Sequence, residues 1–184
     1  SDIYADEGFE STSTNPCGEI ILSPYDSCRL MLVNLSSFVK NAYSDDAYFD
    51  YDKFGQIVQK AQRLMDDMID LEIEQVEKIL DKIESDPEPE SVKAIERELW
   101  TKIKSQALRG RRTGLGITGL GDTIAMLGQQ YGSDESIQTT EEIYKWLALA
   151  SYEESIVLAK ERGSFPIWNL EKEDDHLFLN RIIS

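Results

Sequence analysis

Three side chains that could act together lie close to the start of the chain. In the stretch TSTNPCGEI, Asn15, Cys17 and Glu19 occupy alternate positions, separated by Pro16 and Gly18. Side chains at i, i+2 and i+4 of an extended backbone point to the same side. The spacing therefore predicts that an amide, a thiol and a carboxylate face one point.

The chemistry that this triplet favours is one-electron chemistry at the thiol. A carboxylate beside Cys17 disfavours a thiolate, and no His or Lys lies nearby in the sequence to offset it. A thiyl radical could instead take a hydrogen atom from carbon, while Glu19 takes a hydroxyl proton and Asn15 binds that hydroxyl. Spacing alone, however, favours a simpler alternative, in which a buried cysteine occupies a tight turn and Glu19 is exposed.

Composition limits the other classes of function. The 184 residues, 41% of them hydrophobic, are enough for one domain with its own core. A formal net charge of -16 argues against nucleic acid or an anionic membrane as a partner, because both are polyanions. The chain contains neither an apolar run of membrane-spanning length nor a signal-peptide pattern, so we expect a cytoplasmic protein. Cys17 and Cys28 are too few for a disulfide scaffold, and with His176 as the only histidine they leave zinc without a ligand set.

The elements that must position these side chains change along the chain from extended segments to helices. Residues 1–28 are rich in Ser, Thr, Gly and Pro around one candidate strand, EIILS, and RLMLVNLSSFV is either a second strand or a short buried helix. Apolar residues recur every three or four positions from Tyr51 to Ile83, and again from Ser91 to Leu108. This pattern predicts a helical hairpin interrupted by ESDPEPES. The expected buried face of its second helix comprises Val92, Ile95, Leu99 and Ile103.

Two further helices are predicted after a glycine-rich break. TIAMLGQQYGS should be a helix closed by Gly128. TTEEIYKWLALASYEESIVLAKERG should be a long helix that is capped at Thr139 or Thr140 and ends at Gly163. The residues expected on its buried face are Ile143, Leu147, Ala150, Val157 and Leu158.

The break itself, RGRRTGLGITGLGD, contains a possible nucleotide-binding motif. Gly114, Gly116 and Gly119 satisfy the G-x-G-x-x-G pattern of dinucleotide-binding folds. That motif needs a hydrophobic strand directly before it, and QALRGRR precedes it here, so a structural use of the glycines is favoured. Arg111 and Arg112 could contact a phosphate, but pairing with nearby carboxylates is the preferred interpretation.

The order of motifs along the chain resembles one enzyme family. STNPCGEIILSPYDSC, VNLSSFV, DDMID, GRRTGLGITGLGD and LAKERGSFP occur in this order, as in the catalytic large subunit of ribonucleotide reductase. The resemblance covers nearly the whole chain and is greatest to the adenosylcobalamin-dependent, class II form. It implies an α/β fold, namely a fragment of the ten-stranded ribonucleotide reductase α/β barrel. As an isolated chain it should be predominantly helical with a few short strands.

The resemblance also assigns roles to four residues. Cys17 would be the thiyl-radical cysteine at the tip of the finger loop, which takes the 3'-hydrogen of the ribose. Glu19 would deprotonate the 3'-hydroxyl as the 2'-hydroxyl leaves as water, and Asn15 would bind the same edge of the sugar. Cys28 would be one of two cysteines that supply reducing equivalents and end as a disulfide.

The family pattern is incomplete in this chain. No cysteine precedes Cys17, so the second reducing cysteine of the family is missing. The chain resembles a single partial catalytic domain, 1–184, with a finger loop and strand (1–28), a helical hairpin (51–108), and a glycine-rich turn with helices (109–184). It could be the product of a split or intein-interrupted gene, or a deliberate fragment. We expect it to be inactive alone and to bind no cofactor or metal by itself.

The resemblance implies several partners for the complete enzyme: a ribonucleotide substrate, adenosylcobalamin, the remaining segments of the reductase and a thioredoxin-type reductant. Self-association is also expected, because half a barrel exposes sheet edges and apolar faces. Three alternatives stay open. They are a class I subunit served by a separate metal-bearing radical subunit, a nucleotide-binding module built on the glycine run, and a non-catalytic acidic helical interaction protein.

Overall fold

The computed structural model describes residues 2–18, 20–27, 29–174 and 176–177. The chain forms two compact units. Unit 1 comprises Ser1–Arg29, Asp66–Thr113 and Gly163–Ser184, and unit 2 comprises Leu30–Met65 and Gly114–Arg162. Each unit is therefore assembled from segments that are distant in sequence.

The strands are short and form pairs. In chain order they are β1 (Ser13–Thr14), β2 (Ile21–Leu22), β3 (Arg29–Asn34), β4 (Val39–Lys40), β5 (Tyr48–Phe49) and β6 (Thr113–Thr118). β1 and β2 are antiparallel, with Ser13 opposite Leu22 and Thr14 opposite Ile21. β4 and β5 are also antiparallel, and β3 pairs with β6. RLMLVN is thus a strand, followed by a 3-10 turn at Leu35–Phe38, which resolves the ambiguity left by its sequence.

Helices make up most of the described chain, as the resemblance predicted. They are α1 (Tyr51–Ser85), α2 (Glu90–Gly110), α3 (Leu120–Met126), α4 (Asp134–Arg162) and α5 (Leu170–Asp174). The side chain of Asp50 caps α1, since its Oδ1 accepts a hydrogen bond from the Lys53 N–H at 3.1 Å. The α1–α2 hairpin and the ends at Gly128 and Gly163 are confirmed, and the two glycines have positive φ angles of 73° and 87°.

The predicted start of α4 at Thr139 or Thr140 is wrong. The helix begins at Asp134, because Ser133 caps it: Ser133 Oγ accepts a hydrogen bond from the Ser136 N–H at 3.2 Å. Thr140 instead donates its hydroxyl to the Ser136 carbonyl within the helix. A serine, threonine or aspartate before an apolar run is a cap candidate at several positions, and the sequence did not distinguish among them.

An aromatic and aliphatic core fills unit 2. The Phe38 and Phe54 rings pack edge to face with centroids 5.2 Å apart, so the turn after β3 meets the first part of α1. Ile143 and Leu147 of α4 complete the contact. The buried residues of this core are Val33, Leu35, Phe38, Phe49, Phe54, Val58, Ala61, Ile143, Leu147 and Ala150.

Unit 1 has two smaller apolar clusters. In one, Tyr4 and Phe9 pack with Ile167, and in the other Ile69 and Ile73 of α1 pack with Ala107 of α2. The predicted burial of the α2 face is wrong for three residues, since Val92, Ile95 and Leu99 are exposed, Ile95 by 70%. Val157 on α4 is likewise exposed. Helical periodicity identifies a face suited to burial, but it does not provide a segment that covers it.

Candidate functional site

Asn15 and Cys17 lie at the tip of the β1–β2 hairpin. Beyond the Thr14–Ile21 pair, the Asn15 N–H donates to the Ile20 carbonyl at 3.2 Å, and Asn15 Oδ1 accepts from the Ile20 N–H at 3.2 Å. The Gly18 N–H then donates to the Asn15 carbonyl at 3.0 Å. Gly18 has φ +78°, a left-handed conformation that favours glycine. These hydrogen bonds show that the chain reverses direction after Asn15.

This geometry corrects the expectation of an extended segment. Alternation of side chains requires a strand, and Asn15 to Gly18 form a turn, because the local Pro-Cys-Gly sequence favours chain reversal. Cys17 is exposed, so the alternative of a buried cysteine is also wrong. Glu19 lies outside the described residues. Its position relative to Asn15 and Cys17 therefore remains a prediction.

A cleft lies at the base of the same hairpin. It has a volume of about 370 Å³ and is lined by Ile20, Ile21 and Leu22 together with Tyr4, Phe165 and Arg112. Tyr4 is buried, and its hydroxyl donates to Glu173 Oε1 at 2.5 Å. Burial, reinforced by this hydrogen bond, raises the pKa of Tyr4 to about 12. The cleft wall next to the hairpin is thus mainly apolar, with the cation of Arg112 at one side.

The two arginines of the glycine-rich break form ion pairs, as the preferred interpretation predicted. Arg111 has φ 43° and lies 2.8 Å from Asp66 and 2.7 Å from Asp70, both on α1. Arg112 lies 2.6 Å from Asp2 and 3.3 Å from Asp26. Their guanidinium groups stabilise unit 1 internally, so a phosphate would have to displace existing carboxylates.

The glycine run does not have the context of a dinucleotide-binding motif. Gly114 and Gly116 lie within β6, and α2 ends at Gly110 immediately upstream. A Cβ at Gly116 would lie 3.0 Å from Leu32 Cδ2, and a Cβ at Gly119 would lie 2.8 Å from Asn34 Oδ1. The glycines permit close packing around β3, which is the structural use favoured by the sequence.

Cys28 lies outside the described residues, but the residues around it reveal a feature that the sequence did not suggest. The side chains of Asp26 and Arg29 are both buried, and both belong to ion pairs. Burial raises the pKa of the Asp26 carboxyl, and Arg112 opposes that rise. A single arginine at the start of the apolar run RLMLV was the available signal, since a charged residue in a buried strand needs a partner.

No helix of the described residues is long and apolar enough to span a membrane. Among the same residues there is no group of three or more His, Cys, Asp or Glu side chains arranged to hold a metal ion.

Comparison with known proteins gives consistent matches over the whole site. Residues 8–180 match the family model described as "Ribonucleotide reductase, barrel domain". A "Vitamin B12-dependent ribonucleoside-diphosphate reductase" of Thermoplasma acidophilum is 33% identical over 156 residues, covering 85% of this chain and 17% of the relative. A protein of the same name from Mycobacterium tuberculosis is 32% identical, covering 84% and 18%.

A relative with a different printed name is more distant. The "Ribonucleoside-diphosphate reductase subunit alpha" of Chlamydia pneumoniae is 27% identical over 165 residues, covering 88% of this chain and 13% of the relative. The chain therefore spans less than a fifth of the length of each of these three proteins.

Proposed function

Because the chain belongs to the ribonucleotide reductase barrel-domain family, we propose that it is part of an enzyme that reduces ribonucleotides to deoxyribonucleotides by a thiyl-radical mechanism. Cys17 takes the 3'-hydrogen of the ribose. Glu19 accepts the proton of the 3'-hydroxyl, and Asn15 binds that edge of the sugar. Cys28 supplies one of the two reducing equivalents.

The observation that carries this proposal is the exposed Cys17 at the tip of a hydrogen-bonded hairpin turn, within a chain that matches the family from residue 8 to residue 180. A thiol at such a tip can enter a substrate site formed by other segments of an enzyme. Asn15 Oδ1 is engaged by the Ile20 N–H, which leaves the amide N–H₂ group as the part that donates to the sugar.

The reaction balances when two thiols are consumed. One ribonucleotide and two thiols give one deoxyribonucleotide, one disulfide and one water. The 2'-hydroxyl leaves as that water with a proton relayed from the active site, and Cys17 returns its hydrogen to the 3'-carbon at the end. Cys28 is one of the two thiols, and the second belongs to another segment of the complete enzyme.

We propose adenosylcobalamin as the cofactor of the complete enzyme, since two of the relatives are named as vitamin B12-dependent. When bound, this cofactor supplies the radical that is passed to a thiol. The residue of this chain that fits such chemistry is Cys17, because it is a free and exposed cysteine. The other segments of the reductase hold the cofactor.

Further partners follow from the same proposal. A thioredoxin-type protein reduces the disulfide after each turnover, and the exposed apolar residues of α2 support self-association or contact with the remaining segments of the reductase. A cytoplasmic location is supported by chemistry that depends on reduced thiols.

A class I assignment is the second candidate. It is supported by the relative named as subunit alpha, which matches 88% of this chain at 27% identity. In that case a separate metal-bearing subunit would generate the radical, while Cys17, Glu19, Asn15 and Cys28 would keep their roles.

The test is a reconstitution assay. The chain would be mixed with separately expressed flanking segments of its parent, and deoxyribonucleotide formation would be followed with adenosylcobalamin and a dithiol. Turnover that is lost in Cys17→Ser supports the class II proposal. Turnover that requires a metal-containing subunit instead of cobalamin replaces it with the class I assignment, and silence under both conditions contradicts the proposed function.

A further inference from the structure

A groove with a volume of about 440 Å³ lies between α1 and α4 of unit 2. Asp52, Gln56 and Gln59 line it from the first turns of α1, and Trp146 and Glu153 line it from the middle of α4. It shares no described lining residue with the cleft of unit 1, and the proposed reaction uses none of its side chains. The groove therefore needs an explanation of its own.

The indole of Trp146 has a fixed position in this groove. Gly55 of α1 lies against it, and a Cβ at Gly55 would be 3.2 Å from both Cε3 and Cζ3 of the indole. Glycine within a helix is less stable than alanine, so its use here favours the close approach of the indole. The indole Nε1–H donates to Glu142 Oε1 at 3.0 Å, and the Tyr51 ring lies 5.8 Å away between centroids. With its only N–H engaged, Trp146 presents an aromatic ring to a ligand.

The charge of the groove is negative. Asp52 and Glu153 are the charged side chains among the described residues that line it, and neither forms an ion pair within that part of the chain. Glu153 Oε2 accepts a hydrogen bond from a neutral group, Gln59 Nε2, at 3.2 Å. The neighbouring carboxylate Glu154 is instead paired with Arg63 at 2.8 Å. The two carboxylates of the groove are therefore available to a cation from outside.

An aromatic ring beside carboxylates fits a guanidinium group. Guanidinium stacks on an aromatic face and donates to a carboxylate, and it is more weakly hydrated than an ammonium group. Leu149, which is 39% exposed, adds an apolar surface for the alkyl stem of such a side chain. We infer that the groove is a docking site for a polypeptide segment outside this chain, which places an arginine side chain between α1 and α4.

The source of that arginine is a different polypeptide rather than a second copy of the chain. A second copy would have to break an existing ion pair to supply a guanidinium group. The arginines that already pair with carboxylates of their own chain are Arg29, Arg63, Arg97, Arg109, Arg111 and Arg112. The chain spans only 17% and 18% of two relatives, so a related enzyme contains far more polypeptide than this region. A formal net charge of -16 also favours a basic partner.

The test is a titration of the 184-residue chain, followed by its indole N–H signals in ¹H–¹⁵N NMR spectra. The chain contains three tryptophans, and the Trp146 signal is identified by its loss in Trp146→Phe. The probe is a capped alanine pentapeptide with arginine at its centre. The matched probe carries citrulline there, which has a similar shape and no charge. Reductase activity is not required, so the outcome is independent of the proposed function.

We expect the arginine peptide to shift the Trp146 indole signal in a saturable manner, with a millimolar Kd typical of a single exposed cation site. The citrulline peptide should bind about tenfold more weakly, because it lacks the charge. The indole signals of Trp100 and Trp168 should stay in place, since neither residue lines the groove. An equal response to the citrulline peptide would overturn the inference, and so would the absence of a saturable shift at Trp146.

Isosteric substitutions test the two carboxylates. Asp52→Asn and Glu153→Gln should each raise the Kd of the arginine peptide by about two- to fivefold, because each removes one charge and keeps the shape of the side chain. The double variant should raise it by about tenfold. Glu141→Gln is the matched control, since Glu141 is exposed on α4 and does not line the groove. A wild-type Kd in the double variant, or an equal loss in Glu141→Gln, would contradict the assignment.

Two further measurements identify the source of the cation. Spermidine, a small polyamine, should bind at Trp146 more weakly than the arginine peptide, because its ammonium groups lack the planar guanidinium face. Tighter binding of spermidine would overturn the polypeptide assignment in favour of a free polyamine. Asp52→Asn should leave the sedimentation coefficient of the chain unchanged. A shift toward that of the monomer would make the occupant a second copy and would likewise overturn the inference.

Discussion

The side-chain carbonyl oxygen of Asn15 accepts a hydrogen bond from the backbone N–H of Ile20 at 3.2 Å, and this contact closes the turn that carries Cys17. Asn15 therefore builds the turn as well as serving, under the proposed function, as a ligand of the sugar. The two roles use different atoms of one amide, so substitutions can separate them.

Asn15→Asp should keep the turn and weaken substrate binding, since the carboxylate retains the acceptor and lacks the N–H₂ donor. Asn15→Ala should lose both the hydrogen bond that closes the turn and the contact with the substrate. We expect hydrogen exchange at the Ile20 amide to be unchanged in Asn15→Asp and roughly fivefold faster in Asn15→Ala, the loss of about one hydrogen bond. KM in the complete reductase should rise in both variants. Equal exchange rates in the two variants would contradict the structural role.

The 184-residue chain alone should show no reductase activity with any radical source. The proposed reaction needs a radical thiol and two reducing thiols, and the chain contains two cysteines in total. The measurement is deoxyribonucleotide formation by the purified chain with adenosylcobalamin and a dithiol, beside the same chain supplemented with its flanking segments. Deoxyribonucleotide formation by the chain alone would contradict this prediction.

Tyr4 should make stability sensitive to alkaline pH. Its folded-state pKa of about 12 lies above the ordinary value of 10.0, so its contribution is complete below pH 10 and is lost as the pH rises toward 12. Tyr4→Phe should lower the free energy of unfolding near neutral pH by about 1 kcal/mol, the value of one hydrogen bond. Between pH 10 and pH 12, the free energy of unfolding of Tyr4→Phe should also fall less steeply than that of the wild type.

The control for this prediction is Tyr131→Phe, because Tyr131 is 71% exposed. It should follow the wild-type curve of unfolding free energy against pH, measured by denaturant titration. Identical alkaline slopes for the wild type and Tyr4→Phe would show that Tyr4 is not responsible.

Two neighbouring glycines should respond to alanine in opposite directions. Gly119 has φ +77°, and a Cβ there would lie 2.8 Å from Asn34 Oδ1 and 3.0 Å from Ser36 Oγ. Gly119→Ala should therefore destabilise the protein by about 1–3 kcal/mol. Gly121 lies in α3 with no atom within 4 Å of an added Cβ, so Gly121→Ala should stabilise it by up to about 1 kcal/mol. Thermal unfolding of both variants checks the sign of each effect.

The exposed face of α2 should drive self-association. Val92, Ile95 and Leu99 form an apolar stripe on the helix surface, and contiguous apolar surface tends to find a partner. Ile95→Glu should shift the sedimentation coefficient toward that of the monomer. Tyr131→Glu, which changes an exposed residue of unit 2, should leave the sedimentation coefficient unchanged. A strictly monomeric wild type over a wide concentration range would refute this prediction.

Much of the helical architecture followed from the sequence, because helical periodicity and capping are local. The long apolar repeat from Tyr51 and the prolines after Ser85 determined α1 and its end, and glycines determined the ends at Gly128 and Gly163. The pairing of Arg111 and Arg112 with carboxylates was also predicted correctly. The start of α4 was missed, since Ser133 and Thr140 are both acceptable caps in sequence and only one is used.

The sequence by itself determined the family and the set of reactive residue types, because the order of motifs such as NPCGE and GRRTGLGITG is a property of the chain. Tertiary structure decided how those residues are presented. The Asn15–Ile20 hydrogen bonds convert an apparent strand into a turn, and within unit 1 Arg112 pairs with Asp26 and Arg29 pairs with Glu72. Spacing reports only neighbours along the chain, whereas the ion pairs of Arg29 and Arg112 join residues that are 43 to 110 positions apart, and that proximity exists only after folding.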